Sequence, residues 1–207
     1  MAYVLGYLFA DGYVFKNPRG SCFICFCSTD KELIEKVRGV LKSNHHIGIR
    51  KRNTNPRARP LYVLQIGSKE VFQYLKKFGI VQNKSLIIKF PKNIPGVFLG
   101  DFVRGYFDGD GTIYFKKHFA KDRQKLRWVF SSRFTSGSEI FLHGLHQALK
   151  GHVRGGFIQR KTGGYELVFS HHDSVALYRI MYEKASIDLL LQRKYAIFQK
   201  AVNTLYA

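Results

Sequence analysis

Acidic side chains are scarce in this sequence: 14 Asp and Glu stand against 34 Lys and Arg in 207 residues, a formal net charge of +20. That imbalance leaves a ribosomal-type surface, a membrane-surface binder or a nucleic-acid enzyme in view. Cysteine is almost as rare, with Cys22, Cys25 and Cys27 close together and no others. An odd count without a secretory signal argues for reduced thiols in a reducing compartment. A zinc site needs four ligands, and no other Cys or His pair stands at a useful spacing. Strand residues are the expected identity of these three. Long apolar runs are missing too. Met1 to Ala10 is apolar but has no basic flank and runs straight into Asp11 and Gly12. It is too short to cross a bilayer and does not read as a signal peptide, so a soluble protein with no membrane partner is expected.

What the chain has in quantity is aromatic and basic. Apolar residues make up 45%, with 18 Phe and 12 Tyr, enough for a sizeable core. The cations fall into separate clusters, Arg50 to Arg52, Arg57 to Arg59, Lys116 to Lys125 and Arg154 to Lys161. Clusters that recur along a folded chain favour a broad phosphate-facing surface over a basic tail.

Comparing the chain with itself exposes a duplication. Val4-Leu5-Gly6-Tyr7-Leu8-Phe9-Ala10-Asp11-Gly12 is echoed by Val103-Arg104-Gly105-Tyr106-Phe107-Asp108-Gly109-Asp110-Gly111, an offset of 99. Phe26-Cys27-Ser28 then matches Phe134-Thr135-Ser136 at 108, and Asn83-Lys84-Ser85 matches Arg193-Lys194-Tyr195 at 110. The growing offset places an insertion in the first hairpin of the second copy, around Phe119 to Arg127, where a loop tip tolerates it.

Each copy reads helix, two strands, helix, two strands, helix. Apolar spacing and turn signals give a helix over 3–10, strands over 14–16 and 23–28 around Asn17-Pro18-Arg19-Gly20, and a helix after Asp30. Strands over 47–52 and 61–66 follow, then a helix capped by Ser68. The second copy repeats this over 98–109, 113–117, 128–134, 138–149, 153–161, 165–170 and 173–183, with a closing helix over 189–205. Residues 1–89 form the first half, 90–97 a proline-containing linker and 98–207 the second half. Alternating helices and strands could build a doubly wound parallel sheet. Hairpin-length connections point instead to an α+β fold, with antiparallel sheets covered by helices on one face.

The chemistry gathers at the first helix of each copy. Gly6 with Ala10, and Gly105 with Gly109, put small residues four apart, so two such helices can approach closely. Pairing them brings Asp11 and Asp110 side by side, with Gly12 and Gly111 letting the chain leave each helix without a Cβ clash. Two adjacent carboxylates repel, and a hard divalent cation relieves them. Mg2+ needs only one or two carboxylates, keeping water and substrate phosphate oxygens as its other ligands. Such a cation can prepare a water and stabilise the leaving oxygen of a phosphodiester. The bland alternative for either motif alone is an ordinary Asp-Gly turn; two at equivalent points of a repeat argue against it.

Gly-x-x-x-Ala-Asp-Gly and Gly-x-x-Asp-Gly-Asp-Gly resemble the two signature helices of LAGLIDADG homing endonucleases. The resemblance spans nearly the whole chain. It implies tandem αββαββα units whose antiparallel sheets form a DNA-binding saddle, and a monomer that cuts both strands of a long asymmetric target. It further implies magnesium dependence, short 3′ overhangs and an intron or intein origin. It makes Asp11 and Asp110 the metal ligands, at a site that includes Gly12 and Gly111. Lys84 and Lys194 are similar to the family's active-site basic residues, unless they are solvent-facing lysines at helix starts. Ser28 and Ser136 match positions that hold metal-bound water in the family, with helix capping an equal alternative. Phe9 departs from the pattern where Asp108 keeps it, at a position that serves packing or helix-end hydrogen bonds. A relative that binds DNA or RNA without cutting, such as a maturase, remains the alternative, and two intact aspartates discriminate against it. An unrelated RNA-binding or ribosome-associated protein would leave the paired helices unexplained.

For DNA reading, alternation leaves Arg50 and Arg52 outward with Ile47 and Ile49 inward, Tyr114 and Lys116 outward with Ile113 and Phe115 inward, and Arg133 outward with Phe130 and Phe134 inward. Arg19 in its turn, and Arg160 and Lys161 in a later strand, complete the expected contacts.

Overall fold

Antiparallel hairpins build both sheets of the molecule. The computed structural model describes residues 1–51, 59–185 and 188–206. The first half runs α1 (Ala2–Ala10), β1 (Gly12–Lys16), β2 (Cys22–Ser28), α2 (Lys31–Val40), β3 (Ile47–Arg50), β4 (Leu61–Gly67) and α3 (Lys69–Lys77). A short 3-10 turn at Lys84–Leu86 leads towards the second half. There α4 (Gly96–Asp110), β5 (Gly111–Ala120), β6 (Lys125–Ser136), α5 (Glu139–Leu149), β7 (Phe157–Lys161), β8 (Gly164–Phe169) and α6 (His171–Tyr182) repeat the order, and α7 (Gln192–Tyr206) closes it. The strand orders are β1-β2-β4-β3 and β5-β6-β8-β7, the same topology twice. This is an α+β architecture of two antiparallel sheets, as the hairpin-length connections require.

Register sorts the side chains. Val14, Ile24, Phe26 and Leu64 share the helix-facing side of the first sheet and are buried, while Tyr13, Phe15, Phe23, Gln65 and Arg50 share the other side, called here the open face. In the second sheet Ile113, Phe130, Phe134, Leu167 and Phe169 face the helices; Tyr114, Lys116, Arg133 and Lys161 lie on the open face. The period of two in a strand makes each assignment rigid, since a slip of one residue would expose the whole apolar set.

Local expectations are met in part and changed in part. Ser68 caps α3 through its side chain, accepting from the Val71 amide at 3.2 Å. Asp30 stands at the N-cap of α2 but makes no side-chain cap bond, because two arginines compete for its carboxylate. Ile49, expected inward, is 61% exposed, since β3 is an edge strand. The strand expected from Val153 begins only at Phe157, after Gly156 at φ +107. α4 starts at Gly96, inside the stretch read as linker. Arg52 lies outside the described residues. Among the described residues no helix is long and apolar enough to cross a membrane.

Candidate active site

The two signature helices, α1 and α4, pack at backbone distance, and glycine makes it so. A Cβ added to Gly6 would lie 2.0 Å from the Phe102 carbonyl oxygen, and one added to Gly105 would lie 2.0 Å from that of Tyr3. Phe102 and Tyr3 are themselves 99 residues apart, so the seam obeys the pseudo-twofold of the duplication. A Cβ on Gly109 would meet Ala10 Cβ at 2.5 Å and Asp11 Oδ2 at 3.4 Å. The close approach therefore continues to the helix ends.

Those ends carry the aspartates. Asp11 sits against Gly109, one residue from Asp110, and each carboxylate is largely buried. Burial, opposed by the charges of Lys194 and Lys84, raises the Asp11 carboxyl above its ordinary value. Burial and then the negative charge of Asp11 push Asp110 up to about 6, again opposed by Lys84 and Lys194. This is the signature of two acids sharing one low-dielectric place. Among the described residues no group of three or more His, Cys, Asp or Glu side chains gathers for a metal. The pair thus fits a hard cation that takes its remaining ligands from water, backbone carbonyls or phosphate, and does not fit a closed structural site. Gly12 and Gly111 leave no room for a side chain, since an added Cβ would reach Leu8 Cδ1 or Phe107 Cδ2 at 2.3 Å.

Lys84 and Lys194 are not solvent-facing. They are 5% and 4% exposed. Lys84 Nζ donates to the carbonyls of Phe9 at 2.8 Å and Ala10 at 3.3 Å. Lys194 Nζ donates to Phe107 at 2.6 Å, Asp108 at 2.9 Å and Gly109 at 3.3 Å. Each ammonium closes the last turn of a signature helix, satisfying its orphan carbonyls where the helix dipole favours a cation. Burial lowers both lysines to about 8, against the pull of the nearby carboxylates.

A second symmetric pair was not legible beforehand. Tyr7 donates to the Cys27 carbonyl at 2.6 Å and Tyr106 to that of Thr135 at 2.8 Å, tying each signature helix to the end of its sheet. Ser28 and Ser136 accept from the amides of Asp30 and Ser138 at 3.0 and 3.1 Å, so their hydroxyls turn the chain into α2 and α5. The Cys27 thiol donates to the Asp11 carbonyl at 3.0 Å; burial and then the Asp11 charge push it up to about 11, keeping it a thiol.

Residues 1–79 match the family model described as a LAGLIDADG-like domain. The meganuclease I-SmaMI, solved bound to uncleaveable DNA, superposes with a TM-score of 0.62 at 14% identity, covering 97% of this chain and 88% of that one. I-LtrWI, a LAGLIDADG homing endonuclease solved on its target DNA, gives 0.61 at 12%, covering 99% and 89%. The LAGLIDADG meganuclease I-AabMI on uncleaved DNA gives 0.62 at 15%, covering 99% and 90%. This is the LAGLIDADG fold. I-SmaMI has also been solved on cleaved DNA and, in the presence of calcium ions, on uncleaved DNA. No curated protein matches the chain at a significant level.

Among the differences between the two signature helices is Phe9 against Asp108. Phe9 is buried and packs edge-on to Phe102 at 5.3 Å. Asp108 Oδ2 accepts from the Tyr3 hydroxyl at 2.7 Å and from the Leu191 amide at 2.8 Å, fixing the start of the segment that carries Lys194. Around the LAGLIDADG seam, Arg193 of the second half reaches Asp30 of the first at 3.0 Å, beside Arg59 at 3.2 Å. Against burial, hydrogen bonds from Arg193 and Arg59 hold the Asp30 carboxyl below its ordinary value.

Of the residues expected to meet DNA, Arg50, Tyr114, Lys116, Arg133 and Lys161 share the open faces, and Arg19 is exposed in the β1–β2 turn. Arg160 is separated from them. Paired with Tyr165, it falls on the helix-facing side of β7 because it alternates with Lys161. One open-face residue escaped the sequence. Glu166 is 8% exposed and binds Lys161 at 3.0 Å and Arg133 at 3.4 Å. An acid among cations leaves no periodic trace from which this pairing could be read.

Proposed function

We propose that this chain is a site-specific endonuclease of double-stranded DNA that hydrolyses one phosphodiester in each strand with Mg2+, leaving short 3′ overhangs at a long asymmetric site. One observation carries the reading: Asp11 and Asp110 end two helices that meet at glycine contact, and the sheets that follow carry Arg50 on one open face and Lys116, Arg133 and Lys161 on the other. Each half presents one sheet to one half-site, and the carboxylate pair stands between them, where the two scissile phosphates would lie.

Asp11 and Asp110 would hold the cation, whose chemistry when bound is to acidify a water and neutralise charge on the phosphate. Lys84 and Lys194 keep the helix ends rigid and add positive potential beside that phosphate. The symmetric placement of one Asp and one Lys per half matches a reaction done twice, once per strand. The DNA-bound relatives of the same fold support duplex DNA as the substrate class. A chain with these contents acts as a monomer, because both halves of the site are already in it.

Incubation with a randomised duplex library and Mg2+, followed by sequencing of the cut ends, tests this. Defined paired cuts with 3′ overhangs are expected, and Asp11→Asn or Asp110→Asn should remove cutting while leaving duplex binding. Undiminished cutting by either variant would overturn the assignment.

A further inference from the structure

Lys84 and Lys194 each come to their helix end on a segment that the opposite half touches. Asp30 and Ser138 stand at the N-caps of α2 and α5, an offset of 108 that makes them equivalent. Asp30 Oδ2 accepts from Arg193 Nη2 at 3.0 Å and from Nε at 3.2 Å, and Arg193 is the residue before Lys194. Further along α2, Lys36 Nζ donates to the Leu190 carbonyl at 3.2 Å. In the other direction, Ser138 Oγ donates to the Ile88 carbonyl at 2.7 Å. Beside it a Cβ on Gly137 would lie 2.7 Å from the Ser85 carbonyl oxygen, so glycine lets the two stretches close up. The first half thus holds the second half's lysine segment, and the second half holds the first's.

Each hold runs on to a carboxylate through few links. The Ile88 amide donates to the Lys84 carbonyl at 2.8 Å, and Lys84 Nζ binds the carbonyls of Phe9 and Ala10, just before Asp11. The Lys194 amide donates to the Leu191 carbonyl at 3.0 Å, and Lys194 Nζ binds the carbonyls of Phe107, Asp108 and Gly109, just before Asp110. Hydrogen bonds of this length fail on a displacement of about 1 Å. A segment that slips therefore takes its ammonium off the helix end. The two holds differ in kind. The Arg193 side chain is 56% exposed and shares Asp30 with Arg59, which makes that pair a modest, salt-screened contact. Its own half backs it up, with Asp108 on the Leu191 amide and Arg104 Nε on the Leu189 carbonyl. The Ser138 bond is buried and neutral, and a buried carbonyl that loses its donor costs more.

We infer that the two halves position each other's lysines: Asp30, through Arg193, sets Lys194, and Ser138, through Ile88, sets Lys84. Asp30 and Ser138 are then positioning residues that act across the seam. Neither lysine is fully seated unless both halves are docked, so the crossing ties completion of the site to the pairing of the halves. Lys194 closes one signature helix and Lys84 the other, so losing one hold disturbs one side of a reaction done once per strand. This effect on cutting rests on the nuclease reading; the holds themselves do not.

Backbone hydrogen exchange of the free chain tests the holds without any target. Asp30 makes no side-chain cap bond, so Asp30→Ala removes the hold and spares α2. It should speed exchange at the Leu191 and Lys194 amides by roughly two- to fivefold, as should Arg193→Ala, and leave Ile87 and Ile88 unchanged. Arg59→Ala, which removes the other partner of Asp30, should change neither segment. Ser138→Ala should speed Ile87 and Ile88 by roughly ten- to hundredfold and spare Leu191 and Lys194. Ser138→Thr, which keeps both the cap and the donor, should match the wild type. Exchange that rises only in the mutated half overturns the inference. Strand-resolved cutting in Mg2+, on a target from the duplex library, then reads the effect on the site. Asp30→Ala and Ser138→Ala should each accumulate nicked duplex, with the breaks in opposite strands and the lagging strand roughly tenfold slower. Equal slowing of both strands, or breaks in the same strand for both variants, is what a merely structural loss gives and overturns the positioning role. A wild-type chain that cuts no target sinks the nuclease reading, and exchange alone then decides the holds.

Discussion

Gly6 and Gly105 are each seated on the other helix's backbone, Gly6 against the Phe102 carbonyl and Gly105 against that of Tyr3. This reciprocity makes the seam a single mechanical element, because any side chain at either point separates both helices. Everything downstream, including the distance between the carboxylates, follows from that spacing.

Gly6→Ala and Gly105→Ala should accordingly each destabilise the fold by about 3 kcal/mol or more, since overpacking against backbone cannot relax by a rotamer change. Gly39→Ala in α2, where a Cβ meets nothing within 4 Å, should instead stabilise by roughly 0.5–1 kcal/mol. Urea denaturation of the three variants decides the matter. Equal midpoints for Gly6→Ala and the wild type would contradict the seam.

The carboxylate pair carries a stability cost of its own. Asp110 is raised to about 6 by burial and then by Asp11, so the folded state holds its proton more tightly than the unfolded state does. Between about pH 4 and pH 6 the folded protein thus binds more protons, and stability falls as pH rises. Asp110→Asn should be more stable than the wild type above pH 6 in EDTA, by on the order of 2 kcal/mol, with the gap closing below about pH 4. Mg2+ should raise the melting temperature of the wild type at pH 8 more than that of the variant. A pH-independent gap would show that folding does not raise the Asp110 carboxyl.

Much of this was legible because the duplication repeats its chemistry. Gly6, Asp11 and Lys84 predict their own counterparts at 105, 110 and 194, and the period of two in the strands sorted Tyr114, Lys116 and Arg133 correctly onto one face. The failures are tertiary. Phe119, Ala120 and Lys125 to Arg127 read as an inserted loop, yet pair as strand because aromatic side chains farther back brace them. Whether the two lysines serve the site or face solvent was left open by the sequence, because their donation into the helix ends depends on where a distant segment returns. Asp30 forgoes its cap because Arg193, 163 residues away, claims it.

The lysine geometry gives the next expectation. Lys194→Met should leave the carbonyls of Phe107, Asp108 and Gly109 without their donor and cost roughly 2–4 kcal/mol. Lys84→Met, which frees two carbonyls, should cost less. Both should slow cutting at matched folded fractions, because the positive potential beside the aspartates is gone. A Lys194→Met protein that melts with the wild type would remove the helix-closing role.

Glu166 sets up the final expectation. Against burial, which pushes it up, hydrogen bonds from Lys161 and Gln159 and the charges of Lys161 and Arg133 hold its carboxyl below the ordinary value. It therefore stays charged at neutral pH and neutralises two cations on the open face. Glu166→Gln keeps the size of the side chain and releases both. Each released cation that contacts a phosphate adds about 0.9 to the slope of log affinity against log salt. Binding to unrelated duplex DNA should tighten at low salt and fall more steeply as salt rises, with sequence discrimination reduced. Fluorescence anisotropy on a random-sequence duplex across a salt series measures this directly. An unchanged or shallower slope would mean that Arg133 and Lys161 do not face the phosphates, and that the open face meets DNA elsewhere.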